Sequence, residues 1–476
     1  MPVANAHPSP ISVMTFSRLL GLALALLAHS LAAATATRPH LVIFLSDDHS
    51  VLDSSVYGAK DVKTPNMDRL AQAGLTFDRA FVASPSCAAS RAALLTGLMP
   101  VRNGAEANHS KPRPELKKLP AYLQELGYEV VAFGKVAHYQ HTRDYGFDHF
   151  AHDKFHEHVA IPNGIKWLRE RKSDRPLCIF FGSNWPHVPW PATGEGYDAA
   201  TVQLPQSLID TPETRENRAK YYAAVARMDQ ELGDVYDAAN EVLGRNTFFL
   251  HTADHGAQWP FGKWTLYDAG IRTPMIAVWP DHIKARARTH AVVSWIDILP
   301  TLIEVGGGTT PPRDMDGRSF AAVLRGEKKE HRNRIFTTHS SDGRMNNYPA
   351  RSVRHEGWKY IRNLHPEFYF STHTDLVEDA AYFNSWREKA KTDPAAAAIV
   401  QRYHERPAEE LYDLRADPTE LKNLAADPKH AARLAAMRTE VETWMRENND
   451  PGQVYGQPRL LSDPKRAESP PAKNKK

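Results

Sequence analysis

Cysteine is nearly absent from this chain, with only Cys87 and Cys178 in 476 residues. At most one intramolecular disulfide could form, which excludes a disulfide-stapled scaffold, and the two settings argue against even that pair. Cys178 lies inside the apolar run RPLCIFFG, as a structural thiol does; Cys87 opens SPSCAASRAALLTG between small polar residues, with Arg91 four positions on. A dominant charge is missing too. The net charge is +3, of which residues 1–36 carry +1 and residues 462–476 carry +3, so residues 37–461 carry −1. That balance excludes a nucleic-acid binder, and any anion recognition must be local. No repeat of solenoid or propeller period occurs. Long apolar runs are lacking as well. The longest, LLGLALALLAHSLAAA, comes after Met14 and Arg18 and leads into a small-residue ATA ending at Ala36. It is short and Ala-rich for a membrane span and reads as a secretory signal peptide over residues 1–36, with an uncleaved anchor as the alternative. Export to a periplasm or the cell exterior is the expectation.

What is present is an alternation of short apolar runs with helical patterns, which predicts an α/β fold built on a largely parallel central sheet flanked by helices. The runs are HLVIFLS (40–46), EVVAFG (129–134), LCIFFGS (177–183), NTFFLHT (246–252) and PMIAVW (274–279); helices are expected at 65–74, 87–96, 115–126 and 215–243. Past residue 330 the texture changes to strand-like and turn-like pieces before a helix at 428–446. This predicts a smaller C-terminal antiparallel-sheet subdomain. The resulting division is 37–330 catalytic, 331–461 C-terminal subdomain and 462–476 a disordered basic tail.

Four of the runs end in chemistry. Asp47 and Asp48 come after the first, Lys135 and His138 after the second, His187 after the third, Asp254 and His255 after the fourth. Ligands of open α/β sheets bind beyond the carboxyl ends of the strands, so these residues are expected to share one crevice. Adjacent carboxylates repel unless a cation or donor lies between them. With Asp254 and His255 they form a donor set suited to calcium, or to magnesium as second choice. The plain alternative is a solvated helix-capping turn. Cys87 and Arg91 share a helix face, and the helix start and the guanidinium together predict a thiol of lowered pKa, a nucleophile. Its plain alternative is a small core cysteine. Lys135 and Lys263 offer cations for an anionic group, and His138 and His187 offer proton transfer near neutral pH. Most of the 23 histidines are ordinary surface or core residues.

These residues resemble the formylglycine-dependent sulfatases of the alkaline-phosphatase-like superfamily. The resemblance rests on CAASR with the downstream LLTG, and on SDDH, TPNMDRLAQAGLTFDRAF, GKVAH, PHVPW, ADHG, GKWTLYDAGIRTP and ELYDLRADPTELKNLA, which together span nearly the whole chain after the signal. It implies that Cys87 is converted to formylglycine by a maturation enzyme, and that Asp47, Asp48, Asp254, His255 and the modified Cys87 contact a calcium ion. Arg91 and Lys135 then hold the formylglycine, with His138 as its base. Lys263 and His187 serve as the sulfate-side cation and the leaving-group acid. Ala89 stands where the commoner motif has proline, and His255 where many members have asparagine. The segment NNYPARSVRHEGWKYIRNL resembles the heparan N-sulfatase (sulfamidase) branch, although Lys263 replaces the arginine favoured there and DHG also resembles iduronate 2-sulfatases. The implied function is a sulfatase acting on a sulfated saccharide, with N-sulfoglucosamine first. O-sulfated sugars, phosphonate or phosphate esters, and an inactive saccharide-binding protein are the alternatives. Arg351 and Arg354 are expected either as surface charge on an edge strand or as anion-binding groups at the crevice mouth.

Overall fold

Apolar runs terminated by polar residues become strands buried on both faces, and the ends of four of them carry Asp47, Asp48, Lys135, His138, His187, Asp254 and His255. The computed structural model describes residues 1–2, 38–152, 154, 157–309, 315–355, 357–377 and 381–468. Residues 3–36 of the signal segment and residues 469–476 of the tail lie outside these. Pro39–Lys476 constitute one unit. Among the described residues, no helix is long and apolar enough to cross a membrane.

The first sheet contains β1 (His40–Ser46), β2 (Leu75–Phe81), β3 (Glu129–Gly134), β4 (His149–Ala151), β5 (Leu177–Gly182), β6 (Thr247–Ala253), β7 (Arg272–Thr273), β8 (Met275–Val278) and β9 (Ala287–Ser294). Its order is β4-β3-β5-β1-β6-β8-β2-β7, with β9 beside β2. β4, β3, β5, β1 and β6 run parallel. Leu41 pairs with Cys178 on one side and Phe248 on the other, so the four predicted strand ends emerge at one edge. The run at 274–279 forms β8 but lies antiparallel to β6, and β2 is antiparallel to β7 and β8, so this half of the sheet is mixed. The sheet is therefore largely parallel, as expected.

The helices that place the site are α1 (Pro65–Ala73), α2 (Cys87–Thr96), α3 (Leu119–Glu125), α4 (Ala160–Glu170) and α5 (Pro212–Leu243). α3 starts four residues later than expected, with Lys118 extended before it and Pro120 in its first turn, where a missing N–H costs nothing. α5 packs on β1 and β6, and α4 on β3 and β5. Thr211 caps α5 by accepting from Thr214 N, and Pro212 pre-sets its first residue.

The second sheet is antiparallel: β10 (Arg334–Asp342), β11 (Asn346–His355), β12 (Trp358–Asn363) and β13 (Glu409–Asp413), in that order. Helix α6 (Ala431–Glu447) packs on β11 and β12 through Leu434, Met437 and Val441 against Val353, Tyr360 and Leu411. An antiparallel sheet with one helix is what the C-terminal texture predicts. Of the expected disordered tail, residues 463–468 form a turn in which Arg459 donates to the carbonyls of Arg466 and Glu468.

Candidate active site

On an extended strand, neighbouring side chains point to opposite faces, so two adjacent carboxylates converge only after the strand has ended. Asp48 leaves β1 with φ +62, a left-handed conformation uncommon for a non-glycine residue, and its N–H donates to Asp254 Oδ1 at 3.1 Å. At the ends of β3 and β5 the approach is too close for any side chain. A Cβ at Gly134 would lie 2.1 Å from Gly182 O, and one at Gly182 would lie 2.3 Å from the Lys135 backbone. Lys135 thereby turns directly over the sheet edge.

Cys87 stands at the first residue of α2, whose ten residues are all buried, and Gly97 ends the helix at φ +68 by donating to Ala93 O. The thiol is therefore buried, not exposed. Burial pushes it well above its ordinary range, against the pull of Lys135 and Lys263, so the lowered pKa expected from the helix start and Arg91 is corrected. Arg91 does not reach sulfur. Its Nε donates to Asp254 Oδ2 at 2.9 Å, its Nη2 to Asp47 Oδ1 at 3.3 Å, and its Nη1 to Lys135 O. Four residues along a helix do share a face, but the acceptors that Arg91 meets there are two carboxylates and the Lys135 carbonyl.

Lys135 Nζ donates to Asp47 Oδ2 and lies 3.6 Å from Cys87 Sγ. Lys263 Nζ lies 2.9 and 2.8 Å from the two Asp48 oxygens. Burial opposes ionisation of Asp47, but Lys135 and Arg91 hold its carboxyl well below the usual carboxylate range. For Asp48 burial prevails, with Asp47 and Asp254 adding to it, and the carboxyl is pushed up in spite of Lys263 and His255.

Asp47, Asp48, Cys87 and His255 each direct one ligand atom into a space where all four lie within 4.8 Å of one another. His255 Nδ1 is 3.0 Å from the Gly256 carbonyl, which can only accept, so Nδ1 carries the proton and Nε2 in the neutral ring is bare. That bare nitrogen faces Asp48 Oδ1 and Asp254 Oδ2, each at 3.5 Å, with the Cys87 thiol 3.3 Å away as a weak donor. Acceptors facing acceptors at these distances call for a cation between them, so the donor set fits a divalent metal.

His187 sits with Nδ1 donating to Val188 O and Nε2 3.9 Å from Asp48 Oδ2. Burial, Lys263 and Lys135 hold it well below the usual imidazole range. His138 packs edge-on against His109, with ring centroids 4.6 Å apart, and burial, Lys135 and His109 keep it well below that range as well. The structure thus brings the residues after β1, β3, β5 and β6 together with Cys87, Arg91 and Lys263. Sequence reasoning missed Asn108, whose Oδ1 accepts from Ala88 N at 3.0 Å and fixes the start of α2. It also missed His109, Asp342 and His373 beside it. None of these comes after an apolar run, and no periodicity marks them.

Arg351 and Arg354 satisfy neither expectation. Arg351 is fully buried and paired with Asp450 and with Glu106 Oε2 at 3.1 Å; Arg354 lies 3.2 Å from Asp268. Both are spent on carboxylates of the protein itself.

Residues 39–308 match the family model described as Sulfatase, and residues 254–405 match one described as N-sulphoglucosamine sulphohydrolase, C-terminal. The chain belongs to the sulfatase family, whose members hydrolyse sulfuric esters or sulfamates. It is 31% identical over 436 residues to an ulvan-active sulfatase of Formosa agariphila, covering 88% of this chain and 82% of that one. To the human N-sulphoglucosamine sulphohydrolase it is 27% identical over 466 residues, covering 87% and 91%. A solved 2-O GAG sulfatase superposes with a TM-score of 0.68 at 22% identity, covering 90% and 96%, which bears on the fold alone.

Proposed function

We propose that this protein is an exported, calcium-dependent sulfatase that takes sulfate from a sulfated saccharide during glycosaminoglycan degradation, with N-sulfoglucosamine as its preferred sugar. The observation that carries the substrate is the match of residues 254–405 to the sulphoglucosamine sulphohydrolase C-terminal family, together with the similarity to the human enzyme over most of both chains. A second reading, an O-sulfatase of an algal-type polysaccharide, is favoured by the higher identity to the ulvan-active sulfatase. The signal segment supports a periplasmic or secreted location, and CAASR supports a formylglycine-generating maturation enzyme as partner.

Asp47, Asp48, Asp254 and His255, with the modified residue 87, would hold the ion, which when bound supplies positive charge against the sulfate oxygens. Formylglycine at position 87 would, as its hydrate, supply a nucleophilic hydroxyl and a second hydroxyl whose loss of a proton lets sulfate leave. Around it the chain provides fixed charge and proton transfer. Lys135 and Lys263 flank residue 87 and neutralise the sulfate as it enters. His187, neutral beside two lysines, regains its charged form when the anion offsets them, and then protonates the departing amine or oxygen. His138, of low proton affinity, takes the proton of the remaining hydroxyl.

Release of sulfate from a panel of N-, 2-O-, 3-O- and 6-O-sulfated glycosaminoglycan sugars tests the reading, with an aryl sulfate and an aryl phosphonate beside them. The N-sulfated glucosamine is expected to turn over fastest. Preference for an O-sulfated sugar would replace the substrate assignment, and preference for the phosphonate would replace the reaction class.

A further inference from the structure

One stretch of wall beside Cys87 is built from groups that the mechanism does not use. Trp264 adjoins Lys263, whose Nζ lies 4.8 Å from the indole centroid, and Trp264 N donates to Pro85 O at 2.8 Å, two residues before Cys87. It adopts φ +66, a conformation that is an outlier for so bulky a side chain. The residue is 3% exposed, yet its indole N–H has no hydrogen-bond partner. A buried N–H without an acceptor is unfavourable, and strained backbone adds to the cost, so the position is maintained for something other than packing.

His373 stacks on that indole with centroids 5.6 Å apart, and its Nε2 lies 3.3 Å from Asp342 Oδ2. The other oxygen of Asp342 takes Asn108 Nδ2 at 3.0 Å and His109 Nε2 at 3.1 Å. His109 in turn packs edge-on against His138. Trp264, His373, Asp342, His109 and His138 therefore form one continuous arc, and Asn108 ties it to the first turn of α2 through Ala88 N. The carboxylate is buried, while the side chains of His109 and His373 are 59% and 36% exposed. Each imidazole commits Nε2 to Asp342 and leaves Nδ1 uncommitted. The arc offers an indole donor and two imidazoles, and its single carboxylate is already occupied by three donors.

We propose that Trp264, His373 and His109 form a subsite for a second anionic group of the saccharide, a sulfate or carboxylate beyond the one being cleaved, with Asp342 as the positioning residue. This rests on the sulfated-saccharide reading. It makes the enzyme selective for sugars that carry more than one negative group, because an acceptor on the substrate satisfies an indole N–H that is otherwise without a partner.

The test compares N-sulfoglucosamine, N,6-O-disulfated glucosamine, and N-sulfoglucosamine linked to a uronic acid on the metal-loaded full chain. The ratio of kcat/KM values is read within each variant, so that a change in folded fraction cancels. The wild type is expected to favour one of the dianionic substrates about tenfold, and which one distinguishes sulfate from carboxylate. Trp264→Phe keeps an aromatic ring and removes the N–H, and should abolish most of that preference, mainly through KM. His109→Gln and His373→Gln should reduce it in part, and Asp342→Glu should retain more of it than Asp342→Asn. A wild-type ratio near one, or variants that lower all substrates equally, would overturn the subsite and leave the sulfatase reading intact. If no sulfate is released from any sugar, that reading fails instead. Calorimetric affinities for the same three sugars then decide the subsite by the same ratios.

Discussion

Two regions of this molecule bury ionised side chains, and they do so differently. At the carboxyl ends of β1, β3 and β6, carboxylates face one another: Asp48, Asp254 and the bare Nε2 of His255 lie within 3.5 Å contacts, with Lys135, Lys263 and Arg91 on the outside. On the antiparallel sheet each buried cation is enclosed by carboxylates instead. Arg351 bridges Glu106 and Asp450, and Lys359 bridges Asp268 and Glu420. The second arrangement is complete as it stands and joins the C-terminal sheet to the rest of the chain. The first turns acceptors toward acceptors, a geometry suited to a divalent cation and to chemistry. Buried charge alone does not mark an active site; acceptors from several residues converging on one point do.

The contrast can be broken from either side. His187→Ala should lower turnover by about 10²–10⁴, the range for a lost general acid, and by less for an aryl sulfate whose leaving group needs no proton. Steady-state kinetics on both substrates checks this, and an equal loss on both would make His187 a binding group. Arg351→Ala should leave two carboxylates buried without their cation and destabilise the fold by about 3–5 kcal/mol, measured by denaturant unfolding. Its kcat per folded molecule should change far less than that of the His187 variant. A smaller effect is set by pH. Burial lowers His339, on β10, to about 4 from its ordinary 6.5. The unfolded chain then binds more protons than the folded one between those values, so stability is full above about 6.5 and is lost as pH falls toward 4. His339→Gln should flatten this part of the stability profile by at most about 3 kcal/mol, and an unchanged profile would show that another group governs acid unfolding.

The site's strands are legible in the sequence because β1, β3, β5 and β6 are continuous apolar runs, and each run gives way at once to polar residues. β2 and β9 are not predicted as strands because LTFDRAF and ARTHAVVS mix charged residues into segments that are only partly buried. Small neighbours around Cys87 resemble an exposed turn, whereas those same small residues let α2 pack with all ten positions buried. The partners of Arg351 stand 245 and 99 residues away, and nothing local to NNYPARSVR indicates that its arginine is enclosed. Asp342 and His109 escape for the same reason: their significance is a contact between a loop and a distant hairpin.

Activity turns on residue 87. Mass spectrometry of the peptide containing SPSCAASR, from protein isolated as active enzyme, is the direct measurement. Formylglycine is expected at position 87 in proportion to specific activity, with no sulfate release by Cys87→Ala. Full activity with an intact thiol at Cys87 would contradict the assignment of residue 87 as the nucleophile's source.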